Sequence, residues 1–346
     1  MSKLGEGLAF ILKHNNIAWY ENGTVRILDR RIYPIKIQFV TCHSHKEVAQ
    51  AITDMVTQSW GPYFAAGMGM ALAAYEAKDL GVMEFKDFMH DAGIALYTAR
   101  PTTSAPMKEI VERCEMAALL AKEAGRNPID AAFDTCMEYY DEVYSYCDLM
   151  GKYLVDKFPK SGSVITQCWA ETVVGMMLKH CREENKDIRF FCPETRPYFQ
   201  GARLTASCIC DMGFDVTVIT DNMPGYVLEK KKIDVFTSAA DLICMDGTVV
   251  NKVGTFQIAL LCDYLGIPYY VSGKPNLAHP GRDSVTIEER DPEFVLQALG
   301  TRSVMDGVKG YYPAFDFTPP KFVTGVITDK GCMDTDKLYD YYGSDA

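Results

Sequence analysis

Apolar and polar positions change period twice along this chain. From Ile17 to Phe39 they alternate in short pieces, and Asn22-Gly23 separates Trp19-Tyr20 from Val25-Arg26-Ile27-Leu28. Asn-Gly accepts the positive φ values of a two-residue hairpin turn, so a small antiparallel sheet is predicted at the start. From His45 the period lengthens: Val48, Ala51, Ile52 and Met55 recur at i, i+3, i+4 and i+7, one face of a helix. The same spacing predicts helices over about 62–80, 84–97, 104–124 and 128–158. Asn127 as N-cap and Pro128 at the first helical position open the last of them.

The second half has a different rhythm, in which short apolar runs alternate with helical stretches. The runs are Ser163–Thr166, Ile188–Cys192, Asp215–Ile219, Leu242-Ile243-Cys244 and Pro268–Val271; between them lie Glu171–Arg182, Gly201–Met212 and Thr255–Leu265. Repeated strand–helix–strand units require right-handed crossovers and a parallel sheet covered on both faces. The predicted class is therefore α/β: a small N-terminal β-hairpin and helical domain (1–125), a connecting long helix (126–160) and a Rossmann-like, doubly wound parallel-sheet domain (161–346).

Composition narrows the function classes. Thirty-five basic against 46 acidic residues give a net charge of −11, which argues against nucleic acid or an anionic membrane as the main partner. A pocket for a small anion needs only local positive potential. No apolar run approaches the roughly 18 residues that span a bilayer, and the first residues lack a signal-peptide cleavage site, so a soluble, unprocessed cytoplasmic protein is expected. Twelve cysteines are scattered without a C-x-x-C pair, which reads as reduced thiols rather than a metal site or disulfide framework.

In doubly wound sheets ligands bind outside the carboxyl ends of the strands, so chemistry is sought just after each apolar run. Gln167 and Cys168 follow the first run, Glu194-Thr195-Arg196 the second and Asp221-Asn222 the third; Asn251-Lys252 follow Asp246-Gly247 after the fourth. Asp241 ends the stretch from Val235 to Ala240 and can itself sit at a strand end, with 242–244 turning away. There, in an apolar site, its carboxyl pKa would rise and make it a proton donor near neutral pH; capping the following turn is the other reading. At Cys168 a strand end and a helix N-terminus would lower the thiol pKa, giving a base or nucleophile, whereas most cysteines are small hydrophobes. Arg100, before a predicted helix start, and Lys252, before Gly254-Thr255, are cations placed to meet an anion from two separate loops.

These residues in this order resemble the methylthioribose-1-phosphate isomerases, within a larger group that includes ribose-1,5-bisphosphate isomerases and regulatory subunits of a translation-initiation exchange factor. The strings that carry the resemblance are W-Y-E-N-G-T-V-R-I-L-D-R-R (19–31), A-R-P-T (99–102), E-T-R-P-Y-F-Q-G-A-R-L-T-A (194–206), D-N-M (221–223), D-G-T-V-V-N-K-V-G-T (246–255), G-I-P-Y-Y-V (266–271) and I-E-E-R (287–290). The resemblance implies that Cys168 and Asp241 are catalytic, that Gln200, Arg100, Asn251 and Lys252 contact substrate, and that neither metal nor other cofactor is needed. It implies a homodimer that takes a phosphorylated pentose, and an aldose–ketose isomerisation in which an acid opens the sugar ring and hydrogen moves from C2 to C1.

Three departures bear on the substrate. Where the isomerases have R-G-A-P this chain reads Gln58-Ser-Trp-Gly-Pro62, so Gln58 and Trp60 are expected at the substrate site in place of a cation. The residue after the acid is Leu242, and the cysteine is followed by Trp169. A 5-substituted ribose 1-phosphate is the expected substrate, with the methylthio compound first and 5-deoxyribose 1-phosphate or ribose 1,5-bisphosphate next. The contrasting expectation is a non-catalytic relative that senses a sugar phosphate or nucleotide.

Overall fold

The computed structural model describes residues 5–100 and 104–343. They form two compact units, Met1–Ser145 and Tyr146–Ala346. The division falls inside one long helix.

The first unit opens with a short helix, α1 (His14–Ile17), and an antiparallel sheet of β1 (Ala18–Glu21), β2 (Thr24–Leu28) and β3 (Phe39–Cys42) in that order. Asn22 and Gly23 both adopt positive φ, 48° and 77°, as the hairpin pattern predicts. The third strand, too short to show a period, was not legible. Helices α2 (His45–Thr53), α3 (Gly61–Glu76), α4 (Val82–Thr98), α5 (Ser104–Glu123) and α6 (Pro128–Val155) follow. The Asn127 side chain accepts the Ile129 N–H at 3.0 Å, capping α6 as its sequence suggested. Phe64 of α3 stacks on Tyr140 of α6 with ring centroids 3.6 Å apart.

In the second unit the chain runs through β4 (Ser161–Gln167), α7 (Thr172–Glu183), β5 (Asp187–Pro193), α8 (Ala206–Asp211), β6 (Val216–Ile219), α9 (Pro224–Lys230) and β7 (Val235–Ala239). It continues through β8 (Leu242–Cys244), β9 (Val249–Lys252), α10 (Thr255–Leu265), β10 (Tyr269–Ser272), β11 (Pro275–Asn276), β12 (Gln297–Ala298), β13 (Thr301–Arg302), β14 (Phe315–Thr318), β15 (Gly325–Thr328) and β16 (Gly331–Met333). The main sheet has the order β16-β15-β10-β7-β4-β5-β6, parallel except for the antiparallel edge strand β16. From β4 the chain steps outward to β5 and β6, then returns to the other side of β4 with β7 and continues to β10 and β15. The order of the six parallel strands is that of a dinucleotide-binding doubly wound sheet, and its switch point lies between β4 and β7.

The run Leu242–Cys244 is not a strand of this sheet. It pairs with β9 and β11 in a second sheet ordered β11-β8-β9-β14, and Val235–Ala239 takes the central place. Period alone cannot separate two apolar runs joined by two residues. The core on one face of the main sheet joins Ile165, Phe236, Ile258, Tyr269, Val271 and Val326, all nearly or wholly buried. The rings of Phe236 and Tyr269 stack at 4.2 Å, and the Tyr269 hydroxyl meets the Ser238 hydroxyl at 2.7 Å, so the one polar atom of that ring is satisfied. Among the described residues no helix is long and apolar enough to cross a membrane.

Truncating Phe236, wholly buried in the central strand, removes a ring that its neighbours cannot replace. Phe236→Ala is expected to cost about 3–5 kcal/mol, read as a lowered midpoint in urea unfolding.

Candidate active site

The switch point brings two strand ends together. β4 and β7 are hydrogen-bonded neighbours, with Gln167 opposite Ser238 in the register. Cys168 is the first residue past β4, and Asp241 the second past β7. The Asp241 N–H donates to the Val250 carbonyl at 3.0 Å, which ties this turn to β9, the strand that ends in Asn251 and Lys252. The Gln167 side-chain amide donates to the Val253 carbonyl at 3.3 Å and fastens the end of β4 to the turn after β9. Three of the predicted residues, Cys168, Asp241 and Lys252, are therefore close enough for the charges of the other two to act on the thiol.

Cys168 departs from expectation in its chemistry. Burial pushes its thiol up to about 12, against the lowering pull of Lys252, the Trp169 N–H and Arg290, and with the Asp241 charge adding to the rise. The predicted depression by a helix N-terminus is absent because α7 begins only at Thr172. Cys168 itself has a φ of 59°, in the left-handed region that a β-carbon disfavours. Its carbonyl accepts the Thr205 hydroxyl. A residue held there by its surroundings, at a strand end, is a position where backbone strain and chemistry commonly coincide.

Asp241 also departs from expectation. The sequence placed it in an apolar site, whereas it is exposed, because the chain leaves the sheet after Ala239 and the carboxylate follows the connection to β8. Lys252, in contrast, is only 4% exposed. Its ammonium lies 4.6 Å from the centre of the Phe315 ring and 5.9 Å from that of Tyr312. Aromatic faces attract a cation and replace part of its lost hydration.

The loop from Glu194 to Gln200 is held by Asp221, whose two carboxylate oxygens accept the Thr195 N–H at 2.8 Å and the Arg196 N–H at 2.7 Å. Gln200 is 6% exposed, and its side-chain oxygen has no hydrogen-bond partner among the described residues. The helix expected after it starts as a π-helical turn, Gly201–Thr205, before α8. A β-carbon at Gly201 would lie 1.8 Å from the Pro193 carbonyl oxygen, so only glycine lets the turn pack on the end of β5.

Arg290 and Tyr312 were missed as site residues. The Arg290 guanidinium grips Glu288 through Nε at 2.8 Å and Nη2 at 3.2 Å, stands 5.6 Å from the Phe315 ring and acts on the Cys168 thiol. Tyr312 is 2% exposed, and its hydroxyl is pushed above its ordinary pKa by burial and further by Cys168, against the pull of Arg290. Both lie in irregular chain where periodicity is silent; the I-E-E-R string was the only sign of Arg290. A hollow of about 20 Å³ beside Cys168, lined also by Thr166, Ser238 and Ser272, has room for a water molecule.

Gln58, Trp60 and Arg100 belong to the first unit. Gln58 is buried beneath its own loop, where its carbonyl accepts the Arg30 guanidinium at 2.6 Å. Half-buried Trp60 precedes α3 and packs edge-on against Tyr63 at 5.1 Å. Arg100 is half-buried just past α4; Pro101 and Thr102 of its motif lie outside the described residues. Among the described residues no three His, Cys, Asp or Glu side chains converge as a metal site would require.

The sequence profile described as the initiation factor 2 subunit family matches residues 63–335. The chain is 33% identical to the methylthioribose-1-phosphate isomerase of Roseiflexus castenholzii over 334 residues, covering 91% of this chain and 93% of that one. It is also 33% identical to the enzyme of the same name from Thermotoga petrophila over 347 residues, with 93% and 95% covered. Among solved structures, 5-methylthioribose 1-phosphate isomerase from Pyrococcus horikoshii superposes with a TM-score of 0.82 at 29% identity, covering 95% of this chain and 97% of that one. The translation initiation factor eIF-2B subunit delta from A. fulgidus superposes with a TM-score of 0.83 at 29% identity, with 94% and 97% covered.

A thiol held up at about 12 is almost wholly protonated near neutral pH. Alkylation by iodoacetamide at about pH 7.5 is expected to label the exposed Cys210 and Cys332 first. The rate at Cys168 should then rise about tenfold per pH unit up to about pH 11, followed by peptide mass spectrometry.

Proposed function

The chain belongs to the initiation factor 2 subunit family, and on that premise we propose that it is a sugar-phosphate isomerase acting on a 5-substituted ribose 1-phosphate, methylthioribose 1-phosphate first. The observation that carries this reading is the conjunction of Cys168 and Asp241 at adjacent strand ends beside the buried cation Lys252. The relatives named as isomerases support the reaction class.

The chemistry of the substrate explains why such a set is needed. An aldose 1-phosphate is locked as a ring, so the bond from C1 to the ring oxygen must break while that oxygen gains a proton. Asp241, exposed in the free chain, supplies this proton as general acid once bound substrate takes it out of water. Hydrogen then leaves C2 and arrives at C1 while the C2 hydroxyl loses its proton, leaving a ketone at C2 and a CH₂–O–phosphate at C1. The carboxylate just formed on Asp241 takes up that hydroxyl proton, so the enzyme ends as it began.

Two routes carry the hydrogen. A proton route through an enediol needs Cys168 as thiolate, and with its pKa pushed up to about 12 only about one molecule in 10⁵ carries a thiolate at neutral pH. A hydride shift from C2 to C1 needs no thiolate. It needs a site in which charge at C1 is stabilised and water is kept away, and a neutral thiol suits that wall. The hydride route is our reading. Lys252 and the side chain of Asn251 hold the phosphate, and Gln200 accepts a sugar hydroxyl on its buried oxygen. The likeness to the A. fulgidus subunit favours a regulatory role as the second reading; it predicts binding without turnover.

Incubation with a panel of pentose 1-phosphates, followed by carbon NMR, is expected to show a new ketone for the methylthio compound. Asp241→Asn should lower kcat about 10²–10⁴-fold, whereas Cys168→Ser, which changes only the wall of the site, should lower it much less. If wild type turns over no member of the panel while one binds equally well to wild type and Asp241→Asn, the isomerase reading fails and the regulatory one replaces it.

A further inference from the structure

The turn that carries Lys252 into α10 is held from a strand some sixty residues further along the chain. Asp316 lies on β14, directly opposite Asn251 in the antiparallel register. Its carboxylate accepts the Gly254 N–H at 2.6 Å and the Phe256 N–H at 3.2 Å. These amides are at the N-terminus of α10, where no partner exists within the helix. Inside the turn, the Thr255 hydroxyl donates to the Lys252 carbonyl at 2.7 Å and accepts the Asn251 side-chain amide at 3.0 Å. Neighbouring bonds attach the turn to the residue before β14 through the Val253 N–H and the Ala314 carbonyl at 3.2 Å, and to β4 through the Gln167 amide at 3.3 Å. The carboxylate thus anchors a web that ties down the turn carrying both Asn251 and Lys252.

We propose that Asp316 is a positioning residue for the phosphate-binding end of the site, holding the turn between β9 and α10 so that Asn251 and Lys252 meet the anion. This rests on the reading of those two residues as phosphate contacts. The ionised carboxylate accepts both amides more strongly than a protonated carboxyl would, because charge-assisted bonds are the stronger ones, and it complements the positive end of α10. Lys252 of β9 is the cation whose charge favours ionisation, and among the described residues Tyr269 of β10 is a further titratable group that interacts with it. Burial outweighs the two N–H bonds and Lys252 and pushes the Asp316 carboxyl up to about 6.

The sign of the linkage separates this role from that of an ordinary helix cap. A carboxyl raised in the folded chain contributes stability in its protonated form; that contribution is complete below the ordinary carboxyl value and lost as pH rises through about 6. Near neutral pH the ionised group therefore costs the fold stability while it organises the turn. A cap kept for stability alone would behave in the opposite way, and its removal would lower the melting temperature. For a positioning residue, Asp316→Asn should leave the melting temperature near pH 7.5 unchanged or raised and still weaken anion binding.

Two measurements test this, and neither needs turnover. Hydrogen exchange at the Gly254 and Phe256 amides of the full chain, corrected for intrinsic rate, should lose protection as pH falls through about 6, while amides in β4 stay protected. Sulfate, a dianion throughout, is the probe for binding by calorimetry. Its affinity for wild type should fall about threefold or more between about pH 7.5 and about pH 5. Asp316→Asn should bind it more weakly at the higher pH and show no step near pH 6, and Asp316→Glu should restore the step. Protection that is flat through pH 6 in wild type overturns the proposal, as does an Asp316→Asn protein that binds sulfate with the wild-type pH dependence. Because exchange is read on the free protein, a failed isomerase assay leaves this test intact.

Discussion

The arrangement depends on one reversal of chain direction across the sheet. β4 and β7 run parallel and in register at the middle of the sheet, but the chain leaves them towards opposite sides. Two consecutive crossovers that depart in opposite directions leave a crevice above the strand ends, because no helix covers that point. Cys168 and Asp241 stand on its two sides. Their proximity is set by the hydrogen-bonded register of strands separated by some seventy residues, and any shift of register would turn the two groups away from each other.

Around that crevice, burial and charge act against each other. Cys168 is kept protonated because the cost of placing a thiolate there exceeds what Lys252 and Arg290 return. Lys252 is kept buried because the rings of Phe315 and Tyr312 and the Asp316 carboxylate substitute for water. Asp221 and Asp316 serve the same end by one device: each gathers two backbone N–H groups just past a strand end and so fixes the chain as it leaves the strand. Loops held this way can carry chemistry without adding mobility.

Much of this was legible in the chain itself. The hairpin at Asn22-Gly23, the helices of the first unit and the alternating second half follow from local period, and local period was enough to place Cys168 and Asp241 after strands; Asn251 and Lys252, expected in a loop, instead end the strand β9. The strand order was not legible, because pairing is long-range and nothing in β4 names β7 as its neighbour. For the same reason Leu242–Cys244 was assigned to the wrong sheet. The thiol of Cys168 was misjudged in sign, since the three residues between it and Thr172 remove the helix terminus and leave burial to decide. Asp241 was expected to be enclosed, and its exposure follows from a connection that only the second sheet reveals. Arg290, Tyr312 and Asp316 act from irregular chain or from an edge strand, where their neighbours in sequence are not their neighbours in space.

The central claim is that a neutral Cys168 at the switch point leaves hydrogen to move directly from C2 to C1. The most direct test is to run methylthioribose 1-phosphate to completion in D₂O and to read the C1 position of the product by proton NMR and mass spectrometry. The account predicts two protons at C1 and no deuterium taken from solvent. Deuterium at C1 approaching one atom per molecule would contradict it, because solvent exchange at that carbon requires a base that Cys168, as held here, does not provide.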